Sequence, residues 1–433
     1  MNNHACCPTF ILECAHVSDT GMRRLNNQDA VAVVVTEDEK TWATRGHLMM
    51  VADGMGAHAA GELASKLAVD NIPHTYFKLR DLYPPAALRQ AIRDANAVIH
   101  TKGQSSVGFQ GMGTTCSCLV LLPQGALVAH IGDSRVYRLR GSVLEQLTFD
   151  HSLVWEMAAA GQMAEEDVPA YIPKNVITRS LGPHASVNID LEGPYNVEAG
   201  DVFLVCSDGL SGQVSDEEIG AILGALRPEE AVQTFVDLAN LRGGPDNISI
   251  VVAKVVGNGV PEGATVNDSN HTAPVNAQPA AARSALLWLA VGGAMGVLAF
   301  CLANQYWLLA VAASIVLVAA LVATMVSRPQ SVRQGTPIRS IGGPYGNGPY
   351  RKASATASRT VVDALAQVSD KVKTLADTES NDWSIQWDVY HKGREEAAKA
   401  ADANDYALAI RRYCHAIRDV MQQLREHRRT SGE

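Results

Sequence analysis

Aspartates beside small residues mark the points where apolar runs of this sequence meet their loops. A lone buried carboxylate is costly unless it is paired or bound to a metal, so these positions do not suit a core. A solvated turn is the alternative for any one of them, since Asp-Gly is a common turn dipeptide. Four such positions together favour a shared site. They are Asp53-Gly54, Asp133-Ser134 and Asp208-Gly209 at the ends of apolar runs, and Asp246-Asn247 at the start of one.

Clustered carboxylates of this kind suggest a site for a hard cation. Carboxylate, carbonyl and water oxygens are the ligands that Mg2+ and Mn2+ prefer. The chain has 8 cysteines. They are scattered, and no pair of Cys or His residues has the spacing of zinc ligands, so buried reduced thiols are expected rather than a zinc site. The pattern therefore predicts bound Mg2+ or Mn2+.

Strands and a few helices must position these aspartates. Helical patterns occur at 61–80, 85–102 and 216–241, the last with a break at Pro228. Short β-branched runs bounded by Gly, Asp or Pro recur between residues 10 and 255. These runs lie at 30–36, 47–52, 115–122, 126–131, 136–140, 202–206 and 248–256. The pattern predicts two sheets with helices outside them.

Six motifs follow one another along the same part of the chain. They include Asn-Asn-Gln-Asp (26–29), Val-Ala-Asp-Gly-Met-Gly (51–56) and Cys-Ser-Asp-Gly-Leu (206–210). In order, they resemble the motifs of the bacterial branch of the type 2C (PPM) metal-dependent serine/threonine protein phosphatase family. The six lie at 18–30, 51–62, 111–115, 129–137, 206–210 and 243–248. The resemblance implies an α+β fold, a central β-sandwich of two antiparallel sheets flanked by helices, with a metal cluster at one end.

The resemblance also assigns roles to individual residues. Asp53 would bridge two cations, Asp29 would act through bound water, and Asp133 with Asp208 would match a third cation position. Arg24 would bind two oxygens of the substrate phosphate. The implied cofactor is Mn2+ or Mg2+, as two ions with a position for a third. The implied metal ligands are Asp29, Asp53, Gly54 through its carbonyl, Asp133, Asp208 and Asp246. The implied catalytic residues are Asp53, Asp208 and Arg24. The implied supporting residues are Asn27 and Asn247.

The implied reaction is direct attack on phosphorus by a water activated between two metal ions, with no phosphoenzyme. A general acid should protonate the leaving serine or threonine oxygen. The histidine of the eukaryotic members corresponds to Met55 in this sequence, and methionine cannot donate a proton. His58 is a candidate, and a surface or structural histidine is the alternative. Gln28 replaces a frequent glutamate, and Ala57 replaces a usual glycine. Neither change removes a direct metal ligand.

Residues 150–182 also resemble the family and include the region that forms a mobile flap in its members. The length and mixed polarity of this segment suggest that it gates substrate.

The overall charge argues against one class of partner. The chain of 433 residues has a formal net charge of -9. It lacks the concentrated basic surface that would neutralise a nucleic-acid backbone, so no nucleic-acid partner is expected. The first residues show neither a basic region nor a long apolar core, so no secretory signal is expected and the first domain is predicted to be cytoplasmic.

Residues 284–326 contain no charged side chain and divide at Asn304-Gln305 into two apolar stretches. Each stretch is long enough to cross a bilayer, which takes about 20 residues. A buried hairpin in a soluble core is the alternative. Arginines on both flanks and none in the turn predict a two-pass transmembrane hairpin with both flanks cytoplasmic, in contact with membrane lipid.

The remaining segments predict linkers and a helical tail. Residues 258–283 and 327–356 are rich in Gly and Pro, as linkers are. Residues 357–433 show helical spacing. Two helices are expected in this tail, at 387–401 and 406–425, and residues 404–417 resemble half of a tetratricopeptide repeat. An isolated helical hairpin that docks on a protein partner is an equal alternative. Residues 1–257 then form the phosphatase domain.

These features together predict a protein phosphatase that hydrolyses phosphoserine and phosphothreonine and opposes a serine/threonine kinase in signalling. The alternative is a membrane adaptor that binds phosphoproteins through a weakly active phosphatase-like domain. Complete retention of the implied metal ligands favours the enzyme.

Overall fold

Two antiparallel sheets form the centre of the computed structural model, which describes residues 10–56, 59–161, 176–258, 343–378 and 386–431. One sheet has the strand order β1-β11-β10-β7-β8-β12, and the other has the order β2-β3-β5-β6-β9, with β4 paired to β3. The strands are β1 (Phe10–Asp19), β2 (Asp29–Val34), β3 (His47–Met55), β4 (Gly113–Thr114), β5 (Cys116–Leu122), β6 (Gly125–Ile131), β7 (Arg135–Arg140), β8 (Val143–Gln146), β9 (Asp190–Tyr195), β10 (Val202–Cys206), β11 (Ile248–Asn258) and β12 (Arg351–Ser354).

Helices cover the outer faces of both sheets. Those of the first part of the chain are α1 (Glu39–Arg45), α2 (Ala60–Lys78), α3 (Pro84–Gln104), a 3-10 turn (Val107–Phe109), α4 (Leu153–Ala159), α5 (Asp208–Ser211), α6 (Asp216–Ala225) and α7 (Pro228–Leu241). Three more follow near the end: α8 (Arg359–Thr378), α9 (Trp387–Asp402) and α10 (Tyr406–Ser431). Proline suits the first turn of a helix, where its missing N–H costs no bond, and this explains the predicted break at Pro228.

The core consists of three apolar layers. Side chains that include Met49, Leu119 and Phe203 fill the space between the sheets. Because successive strand residues point to opposite faces, neighbouring residues such as Met50 and Cys118 pack outward against α2 and α3. A third layer lies between the other sheet and the helices that cover it. The predicted α+β sandwich with flanking helices is therefore confirmed.

The C-terminal residues join this same core. Residues 351–354 fall within a predicted linker, but they form β12, which pairs antiparallel with β8. Two charged residues followed by two small ones give little strand signal. An edge strand is held mainly by its backbone hydrogen bonds. Side chains of α8 and α10, among them Leu365 and Ile410, are buried in one cluster with Ile222 and Phe235. The helical tail is thus packed on α6 and α7.

The membrane prediction is corrected. A spanning helix needs about 20 largely apolar residues, and no helix in the described ranges is both long and apolar enough to cross a bilayer. The long helices α8 and α10 carry charged residues throughout. Residues 284–326, which carry the hairpin prediction, lie outside the described residues. The predicted two-pass localisation, and the lipid contact that depended on it, are not supported.

A buried ion pair joins α10 to α7. Asp237 is fully buried, and its carboxylate is paired with Arg425, which keeps 37% of its side-chain surface. Burial, the largest influence, raises the pKa of Asp237 to about 6, although Arg425 lowers it. Charged Asp237 therefore costs stability above about pH 6, and that cost disappears as the pH falls and the carboxyl takes up a proton.

Removing Arg425 is expected to lower the free energy of unfolding, because the charged Asp237 carboxylate then has no cation beside it. Arg425→Met leaves a buried carboxylate unpaired, so we expect a loss of about 3 kcal/mol of unfolding free energy at pH 8. The loss should shrink towards pH 5, because a protonated Asp237 needs no cation. Urea unfolding of both proteins at the two pH values measures the difference. A loss that does not change with pH would contradict the assignment to Asp237.

Candidate metal centre

The predicted ligand residues meet at one end of the sandwich. Asp29 opens β2 and lies directly opposite Asp53 of β3 in the strand register. Asp133 lies in the turn between β6 and β7, and Asp208 follows β10 at the start of α5. Asp246 lies two residues before the start of β11, which pairs with β10. Antiparallel pairing thus brings together five carboxylates that are far apart in the sequence.

Burial and mutual repulsion shape the titration of this cluster. The pKa of Asp29 is raised to about 7, mainly by burial and further by the charges of Asp208 and Asp246. Hydrogen bonds from serine hydroxyls lower this pKa and offset part of the rise. Burial and the charge of Asp208 raise the pKa of Asp133 to about 8. The pKa of Asp53 lies well above its usual value through burial and the charge of Asp29. So many ionised groups are stable together only with added positive charge.

Divalent cations fit this demand. One buried oxygen on each of three aspartates has no hydrogen-bond partner: Oδ1 of Asp29, of Asp133 and of Asp208. In the described ranges, no group of three or more His, Cys, Asp or Glu side chains is arranged so that it could hold a metal ion. Mg2+ commonly binds through one or two carboxylates and keeps several waters, so a loose arrangement of carboxylates is compatible with it. The donor set is oxygen alone, as Mg2+ and Mn2+ require.

Arg24 lies at the edge of the cluster. Its Nη2 is 2.6 Å from Oδ2 of Asp246, and 48% of its side-chain surface is exposed. Its Nε also donates to the Pro245 carbonyl at 3.3 Å. The structure therefore places the predicted phosphate ligand beside a predicted metal ligand, with much of the guanidinium facing solvent.

The two predicted supporting asparagines hold the loop before β2. Asn247 is buried, and its Oδ1 accepts from the backbone N–H of Gln28 at 2.8 Å. Its Nδ2 donates to the carbonyls of Thr20 and Asn26. The Oδ1 of Asn27 accepts from the backbone N–H of Asp29 at 3.1 Å. Both amides thus fix the position of the loop that carries Arg24.

Gly54, in β3, occupies a crowded position against the start of α2. Its N–H donates to the Gln28 carbonyl at 3.1 Å. A Cβ there would collide with the carbonyl oxygens of Gly61 and Gln28, so no larger residue fits without movement of the backbone. Met55 is the last residue of β3, whereas Ala57 and the candidate acid His58 lie outside the described residues.

Three hydroxyl residues that the sequence analysis did not single out also hold the site. The Ser207 hydroxyl donates to Oδ2 of Asp29 at 2.8 Å. Thr115 Oγ1 accepts from the backbone N–H of Asp53 at 2.8 Å, and its oxygen lies 2.8 Å from that of Ser134. Each is adjacent to a motif aspartate or lies inside a motif, and that adjacency was the available signal.

The described ends of the 150–182 segment are tied to each other. The Leu153 N–H donates to the Val176 carbonyl at 2.9 Å, and the Thr178 N–H donates to the His151 carbonyl at 2.8 Å. Residues 162–175, within the predicted flap, lie outside the described residues.

Comparisons with known proteins point to one family. The family model described as protein phosphatase 2C matches residues 22–242, half of the chain. The protein phosphatase PhpP of Streptococcus pneumoniae is 36% identical over 253 residues, which cover 56% of this chain and 98% of that protein. The serine/threonine phosphatase stp of Listeria monocytogenes is 34% identical over 243 residues, which cover 55% and 93% of the two chains.

A solved structure gives the same result. The crystal structure of the Mycobacterium tuberculosis serine/threonine phosphatase PstP/Ppp is 36% identical, with a TM-score of 0.50, and the match covers 57% of this chain and 99% of that one. The predicted family, enzyme class and cofactor are thereby confirmed. The chain belongs to the protein phosphatase 2C family and is a metal-dependent serine/threonine protein phosphatase of the bacterial type, with Mn2+ or Mg2+ as cofactor.

Proposed function

We propose that the acidic end of the sandwich hydrolyses phosphoserine and phosphothreonine by direct attack of water on phosphorus. The observation that carries this proposal is the group of buried carboxylates with three unpartnered oxygens. Divalent cations would satisfy these oxygens and would also bind a phosphate dianion. No covalent phosphoenzyme is needed, because water is the attacking group.

The proposed ligands divide by position. Asp53 and Gly54 lie in β3, whereas Asp208 follows β10 and Asp246 precedes β11, two strands of the other sheet. Asp133 and Asp208 would hold the third position. Bound Mn2+ or Mg2+ supplies the lowered pKa of coordinated water and positive charge against the phosphate oxygens.

The protein's own residues position these groups. Ser207 holds one oxygen of Asp29 and leaves the other free to accept a hydrogen bond from water. Asp246 orients the guanidinium of Arg24 through their ion pair. That guanidinium can then donate two parallel hydrogen bonds to phosphate oxygens.

Arg24→Ala tests the phosphate contact. Charge-assisted hydrogen bonds contribute about 1.5–3 kcal/mol, so we expect kcat/KM for a phosphothreonine peptide to fall about 10- to 100-fold. Steady-state phosphate release in Mn2+ measures the change. Arg23→Ala is the matched control, because it removes the same charge from the adjacent exposed position. An equal loss of kcat/KM in both variants would show that Arg24 contributes only to the general surface charge and would contradict the proposed phosphate contact.

Opposition to a serine/threonine kinase is part of this proposal. The hydrolysis of phosphoserine and phosphothreonine can only reverse the product of such a kinase, which supports the pairing. A strain that lacks this protein should accumulate phosphothreonine on kinase substrates, as measured by quantitative phosphoproteomics. An unchanged phosphothreonine profile would contradict the proposed partner.

A further inference from the structure

Residues 343–354, here called the C-terminal strap, bond to the edge strands of both sheets. On one side Gly193 and Tyr345 exchange backbone hydrogen bonds of 3.1 and 2.6 Å. The hydroxyl of Tyr350 donates to Oε1 of Glu192, in β9, at 2.6 Å. On the other side β12 pairs with β8 along its length. The strap therefore spans the side of the sandwich at which β8 and β9 would otherwise end their sheets.

Two side chains of the strap pack on residues 149–155, here called the anchor segment. The guanidinium carbon of Arg351 lies 4.1 Å from the ring centroid of Trp155. The ring of Tyr350 meets Phe149 edge to face, with 5.5 Å between centroids, and Phe149 meets Trp155 in the same way at 5.4 Å. Only 8% of Trp155 is exposed, and a cation stacked on a desolvated ring is held more strongly than one at the surface.

The anchor segment in turn holds the loop that carries Asp133. The His151 N–H donates to the Gly132 carbonyl at 2.7 Å, and the Gly132 N–H donates to His151 Nδ1 at 3.0 Å. Asp150 accepts from Arg135 Nε at 2.8 Å and from its Nη2 at 2.7 Å. Asp133 lies between these two attachment points, so a shift of the anchor segment moves it.

We propose that Arg351 is a positioning residue for the cation site at Asp133. By stacking on Trp155 it fixes the anchor segment, and the anchor segment fixes the loop that bears this carboxylate. The inference rests on the metal-holding role of Asp133 in the proposed function. The family match ends at residue 242, so a residue outside the matched domain sets the strength of one of its cation sites.

The test is Mn2+ titration of the metal-free full chain by isothermal calorimetry. Residues that orient metal ligands typically change affinity about 10- to 100-fold, and Arg351 acts one step further away. We therefore expect Arg351→Ala to weaken the weakest Mn2+ site about 5- to 10-fold and to leave the tighter sites within about twofold. Arg351→Lys should recover most of the loss, because a lysine can also stack its cation on the ring.

Lys352→Ala is the matched control. Lys352 is the next residue of β12, is exposed, and pairs with Glu145 on the other face of the sheet. It should titrate like the unaltered protein. An Arg351→Ala isotherm identical to that of the unaltered protein, or an equal loss in Lys352→Ala, would overturn the inference. Failure of the unaltered protein to bind Mn2+ would instead refute the proposed function.

Trp155→Phe gives a second variant in case Arg351→Ala does not fold. It should weaken the same site, because the smaller ring loses much of the stacking surface. Trp155 also contacts Phe149 and Arg135. Where both single variants fold, the double variant should therefore weaken the site by less than the sum of the two single losses, because both variants disturb the Arg351–Trp155 contact. Additive losses, or an unchanged site in Trp155→Phe, would overturn the inference.

Discussion

Asp53→Asn is expected to lower metal-dependent phosphate release at least about 100-fold, because residues that only orient metal ligands already contribute about 10- to 100-fold. The carboxylate lies directly opposite Asp29 in the strand register, and the charges of Asp29 and Asp208 help to raise its pKa. Its loss removes the charge nearest the middle of the cluster. Phosphate release from a phosphothreonine peptide, with and without Mn2+, measures the effect.

The same variant should change stability in the opposite direction when metal is absent. Asp53 is one of several buried carboxylates that repel one another, and its pKa is raised well above the usual value. Removing its charge should raise the melting temperature of the metal-free protein at pH 8. Towards pH 6 the gain should shrink, because Asp29 and Asp133, with pKa values of about 7 and 8, take up protons.

Asp38→Asn is the matched control for both effects. Asp38 caps α1 by accepting from the Thr41 N–H at 2.8 Å, far from the cluster in the fold. Asparagine caps a helix as well as aspartate does, so activity and stability should stay unchanged. Full activity of Asp53→Asn would contradict the role assigned to Asp53 in the metal centre.

Deletion of residues 343–433 is expected to lower the melting temperature by about 10 °C or more. Large side chains of α6 and α7, among them Ile222 and Phe235, are buried in one cluster with those of α8 and α10. Burial of one such side chain contributes about 1.5–3 kcal/mol, so exposing several costs about 5 kcal/mol. Differential scanning calorimetry in saturating Mn2+ compares the two chains.

Two single substitutions test whether the stability comes from the packing of the tail rather than from the length of the chain. Ile410→Ala removes a fully buried side chain of α10 and should cost about 2–5 kcal/mol. Val389→Ala alters a side chain of α9 that is 49% exposed, so it should cost less than about 0.5 kcal/mol. A truncated protein that melts at the same temperature as the full chain would show that the helical tail does not stabilise the phosphatase domain.

Much of the site could be predicted from the sequence because its signals are local. An aspartate next to glycine at the end of an apolar run is visible in a few residues, as at Asp53 and Asp208. The motif order then gave their partners by resemblance. Antiparallel pairing then brings these aspartates together, since it places the end of one strand beside the start of the next.

The contributions of the C-terminal residues could not be predicted in the same way. The strap pairs with β8 although about 200 residues separate them, and pairing at a sheet edge leaves little mark on the side chains involved. The helical spacing of the tail predicts helices, and they are present at Trp387–Asp402 and Tyr406–Ser431. Its packing face gave no indication that the surface it covers belongs to α6 and α7.

The anomalous scattering of manganese in a crystal grown with Mn2+ tests the central claim most directly. We expect at least two peaks within bonding distance of carboxylate oxygens of Asp53, Asp208 and Asp246, and a weaker peak at Asp133. A crystal of active protein with no peak among these side chains would contradict the account.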